Sequence, residues 1–584
     1  MHSEMQYDVA IIGGGPVGLT SSILLSLRGI PNVVFERYPD TSIHPKACGI
    51  NQRTTEIFRT MGIEDEVYAH AAPPEIAGRT GWYTSLGPEG REIVSRDAWG
   101  GGIYEAEYKK NSPSRYCILP QIRLEPILKR RAVELNQEGI NYSSEVTSIE
   151  QDKDSVTLNV RCNGADETIR ARYVIAADGG RSFTNTLNIP WIGQRDIFRM
   201  ATAHFKSPLR SLHPDPRNFI TWFSNPELGG STKTGYLYQI GPWPLEPGNE
   251  EWVFACALTP RDPERFDPET MIKRARQTLA IPDLPIELCS LSHWNVNAIH
   301  AERYRVGRVF LVGDAGHKIP PWGALGMNTG IQDAQNLIWK LQLALQNETK
   351  YDALLDTYDT ERRPIGKHVG GWSLHNLLSH AGVMDVALGL SEDKSVEENK
   401  RNIASTFDTL HPEHAQKRTA IEKAQKVLDT EFKAPGTEIG WFYPTVDIDG
   451  EGGTLHGGQV LEDGRLDFEF YVPSTIPGHH VPHAWLGRGG ASCAVRDLIP
   501  LDKLLLLARR PGWEGLGDDR VRYEVIGDGG WDDINGDWAE NCGVGEDGAV
   551  LVRPDGIVAW RGKLSNMSPE SWSSLIDRTV LVVS

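Results

Sequence analysis

Residues 313–341 read GDAGHKIPPWGALGMNTGIQDAQNLIWKL, and several of them could do chemistry together. Asp314 follows the apolar run VFLV, and an acid at the carboxyl end of a parallel strand commonly faces a ligand crevice. The bland alternative is that it caps the next turn. Pro320 and Pro321 forbid helix, so the stripe of Ile331, Ala334, Leu337, Ile338 and Leu341 predicts a helix starting near Asn328. Gly323, Gly326 and Met327 then offer bare backbone N–H groups and the positive end of a helix dipole to one crevice. Such a nest suits a ring that becomes anionic, and reduced flavin is one.

A second site opens the chain. YDVAIIGGGPVGLTSSILLSLRGIPNVVFER reads strand, glycine turn, helix, strand. Gly13, Gly15 and Gly18 make G-x-G-x-x-G, Pro16 suits a first helical turn, and the second strand ends in Glu36 and Arg37. Glycines let backbone approach a pyrophosphate at a helix N-terminus, and a carboxylate about 20 residues on can accept from a ribose diol. The chain carries its own control: GVGEDG at 543–548 has the same spacing but puts Glu546 and Asp547 where phosphate would sit. It runs into a hairpin pattern and reads as a turn. Between the two sites YVIAADGGRS is another apolar strand, closing in Asp178 and Arg181. Three strand-end sites in one chain suggest one extended ligand.

The totals fit a multi-domain globular protein. The chain has 584 residues, 40% hydrophobic and 24% charged, so two to four units are expected. A net charge of −18 argues against nucleic acid or an anionic membrane as partner. No apolar run reaches a membrane span, and the strand pattern near residue 7 leaves no room for a signal peptide, so a cytoplasmic protein is expected. Seven scattered cysteines, never C-x-x-C, argue against disulfides, a zinc knuckle and a dithiol centre. His479, His480 and His483 have no companion ligands; they read as a solvated strand entry, and no metal is expected.

The three turns together, with SIHPKACGINQRTTEIFRTMG, LEPIL and EDGAVLVRPDGIVAWR, resemble the single-component, FAD-dependent aromatic hydroxylases, in the branch with phenol and 2,4-dichlorophenol hydroxylases. The resemblance implies an α/β fold: a Rossmann-like FAD-binding fold (1–190 and 286–375) interleaved with a substrate-binding β-sheet (191–285). A helical connector (376–434) and a thioredoxin-like domain (435–584) without C-x-x-C would follow. It implies FAD as cofactor, NADPH or NADH as transient co-substrate, O2 and a small aromatic as partners, and homodimers among relatives. Residue by residue, Glu36 would hold the adenosine ribose, with Arg37 beside it; Lys46 stands where the family usually has a phosphate-contacting arginine. Gln121 would reach FAD, Asp178 and Arg181 would lie where flavin and nicotinamide approach, and Asp314 would bind the ribityl chain. Pro320 and the Gly323, Gly326, Met327, Asn328 turn would face the isoalloxazine.

The reaction implied passes the distal oxygen of a flavin C4a-hydroperoxide to an electron-rich ring carbon. The protein must position the ring, keep water out and help ionise a phenol of pKa near 10. Here the chain departs from the pattern: Cys48 stands in the slot of a catalytic aspartate or histidine. A thiol is a poor base unless its pKa is lowered, so Cys48 reads as a small neutral wall with the base elsewhere. Tyr236 and Tyr238 share one strand face, and a tyrosine of this region polarises the phenol in relatives; ordinary aromatic packing is the alternative. His204, Trp222, His293 and Trp294 are weaker candidates. The amphipathic SLHNLLSHAGVMDVALGL reads as a packing or dimer face. A Baeyer–Villiger or ring-opening oxygenase on the same cofactor stays open. A flavin scaffold without catalysis and a thiol-disulfide protein fit worse, given intact flavin turns and no paired cysteines.

Overall fold

The computed structural model describes residues 7–443 and 467–580, apart from 182, 247 and 261. Its central sheet is parallel because its strands are continuous apolar runs, buried on both faces. The order runs Val309–Leu311, Ala165–Ala176, Tyr7–Ile12, Asn32–Phe35, Ile140–Asn141. The strand Ala165–Ala176 changes character along its length: its first half is solvated and pairs antiparallel with Val156–Cys162, and its last four residues are buried. Three neighbouring strands therefore end side by side, and the Gly13, Asp178 and Asp314 turns share one edge of the sheet.

The helix Pro16–Ser26 and the helix Gly326–Gln346 cover that sheet. The second starts two residues before the predicted Asn328, at Gly326, because Leu325 already has helical backbone angles. All five stripe residues are fully buried.

A second sheet has seven strands, in the order Glu287–Asn295, Arg199–Lys206, Glu251–Leu258, Tyr236–Gly241, Asn218–Phe223, Arg79–Tyr83, Glu92–Asp97. The expected segment 191–285 is too narrow for it. The last two strands come from the first segment and join through a parallel pairing of Asn218–Phe223 with Arg79–Tyr83. No local turn signals such a pairing, because parallel neighbours need a long crossover.

The helix Glu348–Ser379 runs into a π-helical turn, His380–Asp385. With the helices Val396–Phe407 and His414–Asp429 it does more than connect. Ile403, Ile421, Ala424, Leu428 and Phe432 pack into the same apolar core as Trp82 and Trp222 of the second sheet.

In the C-terminal unit, Leu504–Ala508 pairs parallel with Val521–Val525 and antiparallel with Gly548–Val552, which forms a hairpin with Val558–Lys563. The helix Pro569–Thr579 closes it. This is a thioredoxin fold whose first helix has shrunk to the 3-10 turn Trp513–Leu516, because Pro511 and Gly512 (φ +119°) interrupt the chain there. The GVGEDG match is the turn before that hairpin, as read. His479, His480 and His483 are not solvated: all three are buried, and His479 and His480 stack on Phe442 and Trp441. Their apolar neighbours VP and AWL pull the whole segment inside.

Candidate active site

Each glycine of the first turn has its own reason to lack a side chain. A Cβ on Gly13, at φ +107°, would lie 2.4 Å from the Ala177 carbonyl oxygen. A Cβ on Gly18 would lie 1.9 Å from the Gly13 carbonyl oxygen, so the helix presses directly on the turn. Around Gly15 there is nothing within 4 Å, which leaves its backbone open to a ligand at the helix N-terminus. The other turns crowd in too: a Cβ on Gly180 would lie 2.3 Å from the Asp314 carbonyl oxygen, and one on Gly330 would lie 2.9 Å from the Gly313 Cα. The three turns form one backbone-lined edge.

Glu36 accepts from Gly14 N (2.7 Å) and Tyr38 N (2.9 Å), one bond per oxygen, so lone pairs remain for a diol. Arg37 and Arg181 both donate to the Tyr38 hydroxyl, at 3.1 and 2.7 Å, on the solvent side of this turn. The Arg181 contact is the main cause that draws the Tyr38 hydroxyl below its usual pKa. Asp178 is the residue that caps its turn, accepting from Gly180 N and Phe183 N. Asp314 accepts no hydrogen bond from any described residue, against the capping alternative. It is reached by solvent at the floor of a crevice whose walls desolvate it and raise its carboxyl.

Lys46 is exposed and holds a left-handed backbone (φ +49°). Gln121 begins the helix Gln121–Leu135; its N–H donates to Ala47 O at 2.7 Å and its amide donates to Glu125. Gln121 and Glu125, which also accepts from Ser42 N, thus tie the Lys46 loop to this helix.

At the N-terminus of Gly326–Gln346, the Asn328 side chain is engaged by the protein itself. It is buried, donates to Gly49 O (3.0 Å) and accepts from Asn51 N (3.0 Å), so it bolts the helix to the neighbouring chain. The backbone of the turn from Gly323 (φ +101°) through Gly326 and Met327 to Asn328 is left to face a ring, beside the buried Pro320. Behind it lies a buried polar set. Asp333 accepts from Gly313 N (3.2 Å), His317 Nε2 (2.8 Å) and Arg362 Nε (2.7 Å). Against the cost of burial, Arg362 and His317 hold its carboxyl below the usual range. Asp333 thereby holds the Asp314 turn in place.

The C-terminal hairpin reaches the same helix. Arg553 and Asp555 are buried with Glu361, Lys340 and Asn336; Arg553 forks onto Glu361, and Trp339 donates to Asp555 at 3.2 Å. Burial pushes the Lys340 ammonium down to about 8, while Arg553 and Lys340, against burial, hold Glu361 well below the carboxylate range. The signal was in the sequence as RPDG, read only as a turn.

A cavity of ≈ 220 Å³ lies between this helix turn and the second sheet. Trp322, Trp222, Tyr236, Phe198, Met200 and His380 are among its walls. Tyr236 stacks against Trp222 (4.5 Å) and Tyr238 (6.0 Å), and burial raises both tyrosine hydroxyls well above their usual pKa. Cys48 packs beside the same core, and burial pushes its thiol up to about 12. It is neutral at physiological pH, as a wall would be.

Of the weaker candidates only Trp222 lines the cavity. His204 pairs with Glu251 (2.9 Å), Trp294 donates to Thr202, and His293 accepts from Phe266 N. The SLHNLLSHAGVMDVALGL segment is a packing face, with Leu377, Met384, Leu388 and Leu390 in the core of the second sheet, and beyond that reading Leu377, Leu378 and His380 form one cavity wall. The sequence signal was a histidine inside an apolar face.

A backbone edge open to a dinucleotide beside a partly open, aromatic-walled cavity is the arrangement of a cofactor-dependent enzyme. Residues 6–373 match the family model described as FAD binding domain, and residues 474–578 match "Aromatic-ring hydroxylase, C-terminal". Phenol 2-monooxygenase of Pseudomonas sp. (strain EST1001) is 33% identical, over 97% of this chain and 91% of its own. A putative polyketide hydroxylase of Streptomyces halstedii is 32% identical, over 95% and 93%. The crystal structure of the flavin-dependent monooxygenase PieE with FAD and substrate superposes with a TM-score of 0.90 at 33% identity, covering 99% of both chains. The chain belongs to the FAD-dependent aromatic hydroxylases, single-component flavoprotein monooxygenases that use NAD(P)H. The residues fit the cofactor: Gly15 is open where a pyrophosphate would pass, and Asp314 offers an unbonded carboxylate in the crevice. No helix among the described residues is long and apolar enough to cross a membrane.

Proposed function

We propose that this enzyme hydroxylates a phenolic or polyketide-type aromatic held in the Trp222–Tyr236–Trp322 cavity. The carrying observation is an aromatic-walled cavity that abuts the Pro320–Gly326 turn through Trp322. FAD, reduced by NAD(P)H, supplies the activated oxygen. The chain binds the cofactor through Gly13, Gly15 and Gly18 at the pyrophosphate, Glu36 at the ribose, and Lys46 and Gln121 beside the phosphates. Asp178 and Arg181 flank the approach of the nicotinamide, Asp314 takes the ribityl chain, and Pro320, Gly323, Gly326 and Met327 lie under the ring.

Apolar walls exclude water, which strengthens every hydrogen bond to the bound phenol. Tyr236, which lines the cavity, remains protonated at neutral pH because burial disfavours its anion, and it donates to the phenolic oxygen; Tyr238 packs behind it, its hydroxyl on the Lys46 carbonyl. Cys48 packs behind the cavity, against the same apolar core. Unpaired thiols throughout the chain suit a cytoplasmic enzyme.

The test mixes the yellow protein with NADPH or NADH and a panel of phenols and naphthols, then reads nicotinamide oxidation and product mass. Substrate-stimulated oxidation with one oxygen added to an intact carbon skeleton is expected. A lactone or opened ring would move the enzyme to Baeyer–Villiger chemistry. Protein without flavin would overturn the reading.

A further inference from the structure

One wall of the cavity is an imidazole with half of its hydrogen bonding unused. His380 opens the π-helical turn His380–Asp385, and π-turns gather at functional sites because the extra residue weakens the helix around it. Its side chain is 7% exposed and packed, tilted or edge-on, among Trp222 (4.2 Å), Trp82 (5.3 Å) and Trp322 (6.3 Å). Nε2 is hydrogen-bonded to the Glu431 carboxylate, itself buried, and Nδ1 meets no partner among the described residues. A carboxylate on Nε2 fixes the tautomer: Nε2 carries the hydrogen, and Nδ1 keeps a lone pair. A buried acceptor left unpaired costs about 1–3 kcal/mol, so a ring that served packing alone would be better replaced by an apolar one.

We propose that His380 accepts the proton of the bound phenol at Nδ1, and that Glu431 is the positioning residue that orients it. The inference rests on the hydroxylase reading and names the base which that reading lacks. In the step, the phenol O–H bond breaks and an N–H bond forms at Nδ1. The electron pair stays on the phenolate oxygen and enriches the ring carbons that are attacked. The Glu431 carboxylate stabilises the imidazolium, which returns its proton to the hydroxylated product as it leaves. Glu431 and Asp385 (hydrogen-bonded to Ser231) face this ring, Tyr236 lines the same cavity, and Arg96 from the second sheet acts on Glu431 from behind. Arg96 is itself engaged by Asp429 and the Leu428 carbonyl.

His380→Gln keeps a donor toward Glu431 but removes the Nδ1 base; Glu431→Gln keeps the shape and removes the charge. With a phenol that is neutral at assay pH, His380→Gln should lower kcat/KM by on the order of 10²-fold. With a polyfluorinated phenol already ionised at that pH, the loss should shrink to less than about threefold, because no proton need move. The acid limb of the pH–rate profile should vanish in His380→Gln and weaken in Glu431→Gln. A nitrophenol, whose ionisation is visible in its spectrum, should bind to the FAD-loaded wild type as phenolate and to His380→Gln as phenol. Flavin content reports folding. Equal losses on neutral and ionised phenols, with flavin retained, would overturn the proposal and leave His380 a packing residue. A wild type that oxygenates no phenol would overturn the hydroxylase reading itself, and the base with it.

Discussion

The cofactor edge and the substrate cavity lie side by side and are made of different material. The edge is built on backbone: Gly13, Gly18, Gly180 and Gly330 let main chain approach its neighbours too closely for any side chain, and the few polar side chains it offers, Glu36 and Asp314 among them, stand at strand ends. The cavity is side chain: indole, phenol and imidazole rings contributed by two strands, a helix turn and a π-turn. A backbone site tolerates almost no substitution, whereas a side-chain site can be reshaped around a different substrate while the first stays intact. That contrast explains how one cofactor module can serve substrates as different as those named for its relatives.

The contrast can be broken in three places. The largest effect is expected from Gly18→Val, because even the first added carbon would sit 1.9 Å from the Gly13 carbonyl oxygen. Its purified protein should hold roughly a tenth of the wild-type flavin or less, read from visible absorbance. Full flavin would show that the edge is not backbone-limited. Next, Arg553→Met strands the buried carboxylates of Glu361 and Asp555 and should cost about 3–5 kcal/mol in denaturant unfolding. An unchanged midpoint would mean the C-terminal hairpin does not brace the flavin helix. The smallest effect belongs to the cavity: Trp222→Leu removes a stacking partner of Tyr236 and His380 and should raise substrate KM about tenfold, a loss of ~1.4 kcal/mol. Its flavin content should not change; if flavin falls too, the two regions are not separable.

The two regions also differed in legibility. Gly13, Gly15, Gly18, Glu36, Asp178 and Asp314 could be read in order, and the central sheet that aligns their turns followed from four apolar runs. That the Asn328 amide is consumed by Gly49 and Asn51, residues far away in sequence, had no local signal. His380 was hidden because a histidine in an apolar helical stretch has the same local pattern whether it packs, dimerises or lines a cavity. Arg553 and Asp555 looked like hairpin punctuation, and only their burial against Glu361 shows them bracing another domain.

The amino-acid sequence by itself determined the cofactor edge, because positive φ and backbone contact are demands that glycine alone meets at little cost, and they are met within a few residues. Tertiary structure alone decided the cavity. Its walls come from residues 197 to 380, with Glu431 behind, and only a seven-stranded sheet covered by the connector helices brings them together. Side-chain chemistry of that kind depends on burial and on which partner is left unpaired, and neither exists before the chain has folded.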